Sequence, residues 1–228
     1  MEHIIRPIAY IKSDFTSKFG IPRQSGLVDE LEAEIFFEKE YSVPDAFRGL
    51  DGYSHIWILW QFSECVDKNW NPTVRPPRLG GNKRMGVFAS RSPFRPNSIG
   101  LSCVKLIGIG ESEDGRIVLT VSGADLLDGT PIIDIKPYLP YVDSHPDASG
   151  GFALQEKEGA LEVIFPSDML EIIPKDKQEA LTAVLKQDPR PQYHNDPNRL
   201  YGLEFAGFDV RFNIVDDVLT VVEIEKNK

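Results

Sequence analysis

The chain has 228 residues, of which 41% are hydrophobic and 26% are charged, so we expect a buried core in one large domain or in a domain plus a smaller one. Two cysteines, Cys65 and Cys103, are too few for a disulfide framework or a four-thiolate zinc site, and the four histidines lack metal-ligand spacing. No apolar run approaches the roughly 18 residues of a membrane span, and no signal peptide is recognisable. The sequence predicts a cytoplasmic protein without a metal or membrane partner.

The first two thirds of the chain predict short β-strands separated by loops rich in proline and glycine. The strongest strand signal runs from Tyr53 to Phe62, where aromatic and β-branched residues dominate. Glu113-Asp114-Gly115 predicts a hairpin turn. Further strands are predicted at residues 4–11, 34–37, 84–89, 100–108 and 117–123, with one helical turn within 44–49. Because helices do not alternate with these strands, we predict a small antiparallel β-barrel of six or seven strands.

The composition changes after Tyr141, where residues 143–151 are typical of a linker. Beyond it we predict a strand at 161–165, a helix at 175–187, and a hairpin of strands 203–214 and 218–224. The predicted organisation is therefore a barrel domain over residues 1–142 and a smaller α+β domain over residues 143–228 that packs on it.

The charge is unevenly distributed along the chain. The formal net charge is −10, which by itself argues against a simple nucleic-acid binder. From Lys68 to Gly110, however, the sequence contains eight Lys or Arg residues and no Asp or Glu. The prolines and glycines between these cations are typical of loops rather than of a solubilising helix. This basic segment is either a solvated face or a site for RNA or another anionic ligand.

Three loop segments carry the candidate chemistry. Residues 22–27 offer backbone amides beside a cation, although the same sequence suits an ordinary connection between strands. Residues 75–102 place arginines on proline-stiffened loops, where forked guanidinium donors suit a carboxylate or phosphate. In the segment 125–138, Asp134 and Lys136 share one face of a predicted strand and are either catalytic or a structural ion pair.

Several common sites are absent from the sequence. There is no glycine-rich dinucleotide fingerprint after a strand and no P-loop. The Gly-x-Ser-x-Gly elbow of the α/β-hydrolases is also missing. The common dinucleotide-binding and P-loop interpretations are therefore excluded.

Two long motifs make the sequence recognisable. They are RSPxRPNxIG at residues 91–100 and DGTPxxDIKPY at residues 128–138. Together with residues 22–27, 72–81 and 188–191, which extend the match over nearly the full chain, they closely resemble the TsaA-like family. The best-known bacterial members of that family are tRNA methyltransferases of the TrmO type.

The resemblance implies a fold, a cofactor and a reaction. It implies a small β-barrel that binds S-adenosylmethionine, and a homodimer with the cofactor near the subunit interface. The implied reaction is methylation of N6 of threonylcarbamoyl-adenosine at position 37, beside the anticodon of threonine tRNA.

Carried over by motif, the resemblance also implies the residues of the cofactor site. They are Gln24, Ser25, Gly26, Ser63, Glu64, Arg91, Leu101, Leu126, Leu127, Asp128 and Gly129. An arginine such as Arg91 suits the carboxylate of the cofactor, and an acid such as Glu64 or Asp128 suits its ribose hydroxyls.

The nucleophile needs more than alignment with the methyl donor. N6 of the modified adenine is flanked by a carbonyl, so its lone pair is delocalised and its proton must pass to a base or be held in a hydrogen bond. Asp134 and Tyr138 are the candidate catalytic residues by type. We expect the anticodon loop of tRNA to be bound by Arg78, Lys83, Arg84, Arg95, Asn97 and Lys136.

Two other functions stay open at the level of sequence. The basic loops suit a non-enzymatic module that binds RNA or a nucleotide. A methyltransferase with a different substrate is the other alternative, because a family resemblance defines a site better than it defines a substrate. Binding of S-adenosylmethionine by the purified protein distinguishes the module from an enzyme.

Overall fold

A computed structural model describes residues 4–65, 69–76, 79, 83–154, 160–190, 196 and 199–227. The strands, in chain order, are β1 (Ala9–Lys12), β2 (Glu32–Phe37), β3 (His55–Gln61), β4 (Thr73–Val74), β5 (Met85–Gly86), β6 (Ile99–Glu111), β7 (Ile117–Ser122), β8 (Pro131–Pro137), β9 (Glu162–Ile164), β10 (Tyr201–Phe205), β11 (Phe208–Val215) and β12 (Val218–Lys226). The α-helices are α1 (Pro140–Asp143), α2 (Ser167–Leu170) and α3 (Lys175–Lys186). Within this described part of the chain, no helix is long and apolar enough to cross a membrane.

Six strands close into an antiparallel barrel in the order β1-β2-β7-β6-β3-β8. The alternation of side chains builds it: in β3, Ile56, Ile58 and Trp60 are buried inside the barrel, whereas Trp57 and Leu59 lie on its outer face. Closure leaves the barrel without an edge strand. The predicted fold class, a mainly β protein with a six- or seven-stranded antiparallel barrel and a smaller α+β part, is confirmed.

A second sheet of four strands has the order β10-β11-β12-β9, with only β12 and β9 parallel. Helix α3 buries Ala180, Leu181, Val184 and Leu185 against it, which is the face that the helical spacing predicts. The predicted hairpin across Asp216 and Asp217 joins β11 to β12.

Three predicted strands are corrected by the structure. Strand β1 begins only at Ala9, and the predicted strand 203–214 is two strands because Ala206 and Gly207 both have positive φ, 51° and 82°, and form a two-residue turn. Of residues 84–89, only Met85–Gly86 is a strand, and it pairs with β4 in a separate ribbon. In the barrel, β3 pairs with β6 on one side and with β8 on the other. No free barrel edge is therefore available to Met85–Gly86.

The connection between β1 and β2 ties the two sheets together. Phe15, Val28 and Leu31 from this connection are buried in the core of the C-terminal sheet, and Phe15 meets Phe205 edge-to-face with ring centroids 5.5 Å apart. Beside them, Lys177 of α3 donates to Asp14 at 2.7 Å. The core of the C-terminal sheet is therefore built partly from residues that come before most of the barrel strands in the sequence.

Candidate functional site

A cavity of about 470 Å³ opens at one end of the barrel. Its size lies within the ~300–1,000 Å³ typical of small-molecule sites. Four segments surround it: the β1–β2 connection, the turn at Ser63–Cys65 after β3, the loop before β6, and the β7–β8 connection. Because neighbouring strands are antiparallel, these four segments all lie at the same end of the barrel, although they are far apart in sequence.

A chain of hydrogen bonds leads from the barrel interior to the cavity wall. The indole Nε1 of Trp60 donates to Ser102 Oγ at 3.0 Å, and Ser102 Oγ donates to Asp125 Oδ1 at 2.6 Å. Gly100 lies directly against the indole: a Cβ there would stand 2.3 Å from a ring carbon, so only glycine fits. These contacts hold Trp60 and Asp125 in one arrangement at the cavity.

Asp125 is a carboxylate largely withdrawn from water. Burial raises its pKa above the ordinary value, while bonds from Ser102, its own backbone amide and the backbone amide of Ser25 oppose that rise. Arg91 contributes a smaller opposing charge interaction. A carboxylate in this environment attracts a positively charged ligand more strongly than an exposed one would.

The rim of the cavity carries paired charged and polar groups. Arg91 Nη1 donates to the side-chain oxygen of Gln24, and Lys18 forms an ion pair with Glu64. The hydrogen bond to Glu64 raises the pKa of Lys18. Arg95 Nη1 donates to the backbone oxygen of Ser90 at 2.8 Å, which holds the loop before β6. The rim thus offers both charge signs.

Six of the predicted cofactor residues line the cavity. They are Gln24, Ser63, Glu64, Arg91, Leu101 and Leu127. Tertiary structure therefore brings together residues from all four surrounding segments.

The other predicted cofactor residues support the walls rather than line the cavity. Ser25 Oγ accepts from the Cys103 amide at 3.2 Å, and the Gly26 amide donates to Gly123 at 2.9 Å, which attaches their loop to the barrel. Leu126 is buried in the barrel core. Asp128 accepts from the Ser13 amide at 3.0 Å, and the Gly129 amide donates to Ile11 at 2.9 Å.

Asp134 and Tyr138 do not line the cavity. Asp134 lies on the outer face of β8 and pairs with Lys136 at 2.8 Å, as expected for the structural alternative, and the Tyr138 ring packs beside His55 and Trp57. The hydrogen bond to Asp134 raises the pKa of Lys136. Catalytic roles for Asp134 and Tyr138 stay predictions.

The strand register nevertheless places Asp134 near the cavity rim. Leu59 on β3 is the direct neighbour of Leu101 on β6 and of Asp134 on β8, and all three lie on the outer face. Asp134 is therefore two strand spacings, roughly 10 Å, from the cavity-lining Leu101. This outer face carries further exposed apolar surface at Ile99.

The predicted RNA-binding residues fall into three groups. Arg95 lines the cavity, whereas Lys83, Arg84 and Asn97 are exposed and do not line it. Lys136 lies on the outer face of the barrel in its ion pair. Arg78 lies outside the described residues.

Sequence reasoning missed Asp125 and Trp60 as residues of the site. In the sequence, Asp125 is the first residue of the candidate segment 125–138, and nothing in the local pattern indicates that its carboxylate is buried. Trp60 belongs to the strongest predicted strand, where an aromatic residue is ordinary. Among the described residues there is also no group of three or more His, Cys, Asp or Glu side chains that could hold a metal.

The chain matches two family models in succession. Residues 10–144 match the tRNA-methyltransferase O N-terminal domain, and residues 158–227 match the TrmO C-terminal domain. With the barrel and its cavity, these matches place the protein among the tRNA methyltransferases. The chain belongs to the tRNA-methyltransferase O family.

Individual relatives agree with this assignment. The chain is 41% identical over 226 residues, 96% of each chain, to the tRNA (adenine(37)-N6)-methyltransferase of Escherichia coli strain K12. It is 40% identical over 144 residues, 63% of this chain and 96% of the relative, to a Methanothermobacter thermautotrophicus protein named "Probable S-adenosyl-L-methionine-binding protein". The crystal structure of TrmO from Pseudomonas aeruginosa superposes with a TM-score of 0.79 at 33% identity and covers 99% of both chains.

Proposed function

We propose that this protein methylates N6 of threonylcarbamoyl-adenosine at position 37 of threonine tRNA. It is an S-adenosylmethionine-dependent tRNA adenine-N6 methyltransferase, as its family and relatives indicate. The threonylcarbamoyl group, the threonine isoacceptor and entry by the anticodon loop are the finer parts of the proposal. The observation that supports the proposal is a cavity of mixed charge whose lining includes Arg91 and Arg95 of the basic segment, so a polyanionic substrate can approach the cofactor site there.

The cavity suits the cofactor chemically. S-adenosylmethionine has a sulfonium, an ammonium and a carboxylate, so its site needs groups of both charge signs. Arg91 offers a guanidinium for the carboxylate, while Asp125 and Glu64 offer carboxylates for the positive groups and the ribose hydroxyls. Trp60 and Leu101 supply apolar surface. When bound, the cofactor supplies a methyl group that is already activated.

We assign supporting roles to the predicted residues that do not line the cavity. Ser25 and Gly26 hold the loop that presents Gln24, and Gln24 in turn receives the hydrogen bond of Arg91. Leu126, Asp128 and Gly129 shape the β7–β8 connection through their contacts with β1 and the barrel core. Residues 1–142 are the proposed cofactor-binding domain, and residues 143–228 are the proposed second domain.

The protein's part in the reaction is to align the nucleophile and to accept its proton. The N6 lone pair of the modified adenine is delocalised into the neighbouring carbonyl, so proton removal must accompany methyl transfer. We propose that Asp134 serves this step from the outer face of the barrel, and that Tyr138, further along the chain beside His55 and Trp57, assists it. Within one chain Asp134 lies roughly 10 Å from the cavity rim, two strand spacings away. We propose that a second subunit brings its own Asp134 to the cavity.

We propose a homodimer in which the outer face of β6, β3 and β8 packs against its partner. Leu101 and Ile99 are exposed there at 51% and 36%, and both line the cavity, so a partner on this face would complete the cavity wall. In a two-fold dimer the same face serves both subunits. The proposed compartment is the cytoplasm, which suits the two free cysteines.

The substrate proposal is tested by mass spectrometry of nucleosides from threonine tRNA incubated with protein and cofactor. Two tRNAs are compared, one with and one without the threonylcarbamoyl group at position 37, and a tRNA with guanosine at that position is the control. We expect one added methyl on the modified adenosine alone. Equal methylation of unmodified adenosine would reject the threonylcarbamoyl substrate and leave the enzyme class intact.

The shared site is tested by mixing the variants Arg91→Ala and Asp134→Asn at a cofactor concentration that saturates the wild type but leaves Arg91→Ala largely unliganded. If each site combines Arg91 of one subunit with Asp134 of the other, mixed dimers contain one intact site and regain activity. If both residues act within one chain, mixing restores nothing. Light scattering that finds a fully active monomer at micromolar concentration would reject the dimer itself.

A further inference from the structure

Three large aromatic side chains are exposed on one lobe beside the cavity. The lobe comprises the described residues 69–76 and 83–98, and we call it the aromatic lobe. Trp70 is 50% exposed, Phe88 75% and Phe94 40%. Large exposed apolar surface is unfavourable in water and marks interaction sites on soluble proteins.

Backbone hydrogen bonds bring these three residues together although they are up to 24 positions apart. The Asn71 amide donates to the Phe94 carbonyl at 3.2 Å, and the Val87 amide donates to the Pro72 carbonyl at 3.0 Å. Trp70 and Phe88 immediately adjoin these bonded residues in sequence. The backbones of the three aromatic residues therefore lie next to the Asn71-Pro72 segment.

The charges of the lobe favour a polyanionic partner. No Asp or Glu occurs between Lys68 and Gly110, in a chain whose net charge is −10. Lys83 and Arg84 are exposed on the lobe, and Arg84 is anchored by its hydrogen bond to Thr73 at 3.2 Å. Cations interleaved with exposed aromatic rings are the combination that binds single-stranded nucleic acid through phosphates and stacked bases.

The lobe is also continuous with the cavity. Pro93 and Arg95, on either side of Phe94, both line the cavity, as does Arg91. A target nucleotide at the mouth of the cavity, facing the bound cofactor, would therefore place the neighbouring nucleotides of its strand at the aromatic lobe.

We propose that the aromatic lobe is a stacking platform for the unpaired bases that flank the target adenosine in tRNA. This inference rests on the proposed tRNA substrate and adds how the protein holds the strand around it. Phosphate contacts by Lys83 and Arg84 position the backbone without regard to sequence. Stacking on Phe88 and Trp70 holds bases that are splayed out of the loop.

The test compares tRNA affinity and its salt dependence in Phe88→Ala, with Tyr141→Ala as the matched control. Tyr141 is 83% exposed and lies on α1, outside the lobe. Loss of one stacked base weakens binding by roughly 5- to 150-fold. We expect such a loss in Phe88→Ala with an unchanged slope of log affinity against log salt, because every phosphate-binding cation is still present. The control should bind as the wild type does.

A fluorescence measurement checks stacking directly. Binding of tRNA should quench the emission of Trp70, and Trp70→Phe should remove the quenching while it preserves most of the affinity. Trp57 and Trp60 are present in both proteins and provide the background signal. Wild-type affinity in both Phe88→Ala and Trp70→Ala would overturn the platform.

Two further outcomes separate this inference from its alternatives. If Phe88→Ala converts a dimer to a monomer, the lobe is a subunit interface and the inference is wrong. If the wild type fails to methylate the threonylcarbamoyl substrate but tRNA binding still depends on Phe88, the platform stands and the substrate proposal falls. Unchanged melting temperature and cofactor affinity in Phe88→Ala exclude misfolding as the cause of weaker tRNA binding.

Discussion

The barrel core and the C-terminal core are both made by β-sheets, but they are closed in different ways. The barrel closes on itself, so Ile35, Ile58 and Leu119 are fully buried by other barrel residues. The C-terminal sheet is open and is covered on one face by α3 and by the β1–β2 connection. The C-terminal domain thus depends on a segment that belongs to the barrel domain by sequence.

The C-terminal sheet supports one wall of the cavity. Phe19, Ile21 and Leu27 of the β1–β2 connection pack against the C-terminal core, while Gln24, between them in sequence, lines the cavity. The sheet therefore acts as a support for the loop that presents one cavity wall. Phe15→Ala tests how far the two regions are coupled, and three further variants test the cavity and the basic segment.

The largest effect is expected from Phe15→Ala. Phe15 is 1% exposed in the C-terminal core, and removal of a buried phenyl ring costs about 3–5 kcal/mol of stability. Phe37→Ala is the matched control, because Phe37 is 2% exposed in the barrel core. Both should lower the free energy of unfolding measured with denaturant. Only Phe15→Ala should also weaken cofactor binding strongly, through the β1–β2 connection, and equal weakening by both would contradict the coupling.

The next effect is expected from Arg91→Ala at the cavity rim. Loss of a hydrogen bond to a charged group should weaken S-adenosylmethionine binding by about 1.5–3 kcal/mol, measured by calorimetric titration. Arg116→Ala is the control, since Arg116 pairs with Asp114 in the β6–β7 hairpin at the opposite end of the barrel. Wild-type cofactor affinity in a folded Arg91→Ala protein would remove Arg91 from the site.

Asp125→Asn should change the pH dependence of stability. Because burial raises the pKa of Asp125, the folded protein holds this proton more tightly than the unfolded chain does. The contribution of the Asp125 carboxyl group to the stability of the folded state is therefore lost as pH rises from the ordinary carboxyl pKa, about 4, through the raised pKa. The melting temperature of the variant relative to the wild type should rise over that interval. A relative melting temperature that stays constant or falls would contradict the buried-carboxylate assignment.

The smallest effect on cofactor binding is expected from the double variant Lys83→Ala with Arg84→Ala, which should leave it unchanged. Removal of each cation that binds a phosphate should flatten the slope of log tRNA affinity against log salt by about 0.7–0.9. This change in slope tests whether the basic segment contacts tRNA. An unchanged slope would show that RNA binds elsewhere on the protein.

Most elements with a strong local signal could be predicted from the sequence. Strand β3 and helix α3 follow from their periodicity, and the outward pair of Asp134 and Lys136 follows from alternation along β8. The strand predicted at residues 84–89 failed because its pairing depends on whether the barrel has a free edge, which no local pattern encodes.

The motifs of the sequence by themselves identified the family, and the resemblance to that family implied the cofactor and the class of reaction, because long motifs such as those at residues 91–100 and 128–138 are specific to one family. Only the tertiary structure decided how the site is assembled. Antiparallel closure gathers four distant segments at one end of the barrel, and burial makes Asp125 a desolvated carboxylate bonded to Ser102. Tertiary contacts also join the β1–β2 connection to the C-terminal core and bring the backbones of Trp70, Phe88 and Phe94 together beside the cavity. These features arise from contacts between residues far apart in the chain, so their physical cause, long-range pairing and burial, is absent from any local stretch of sequence.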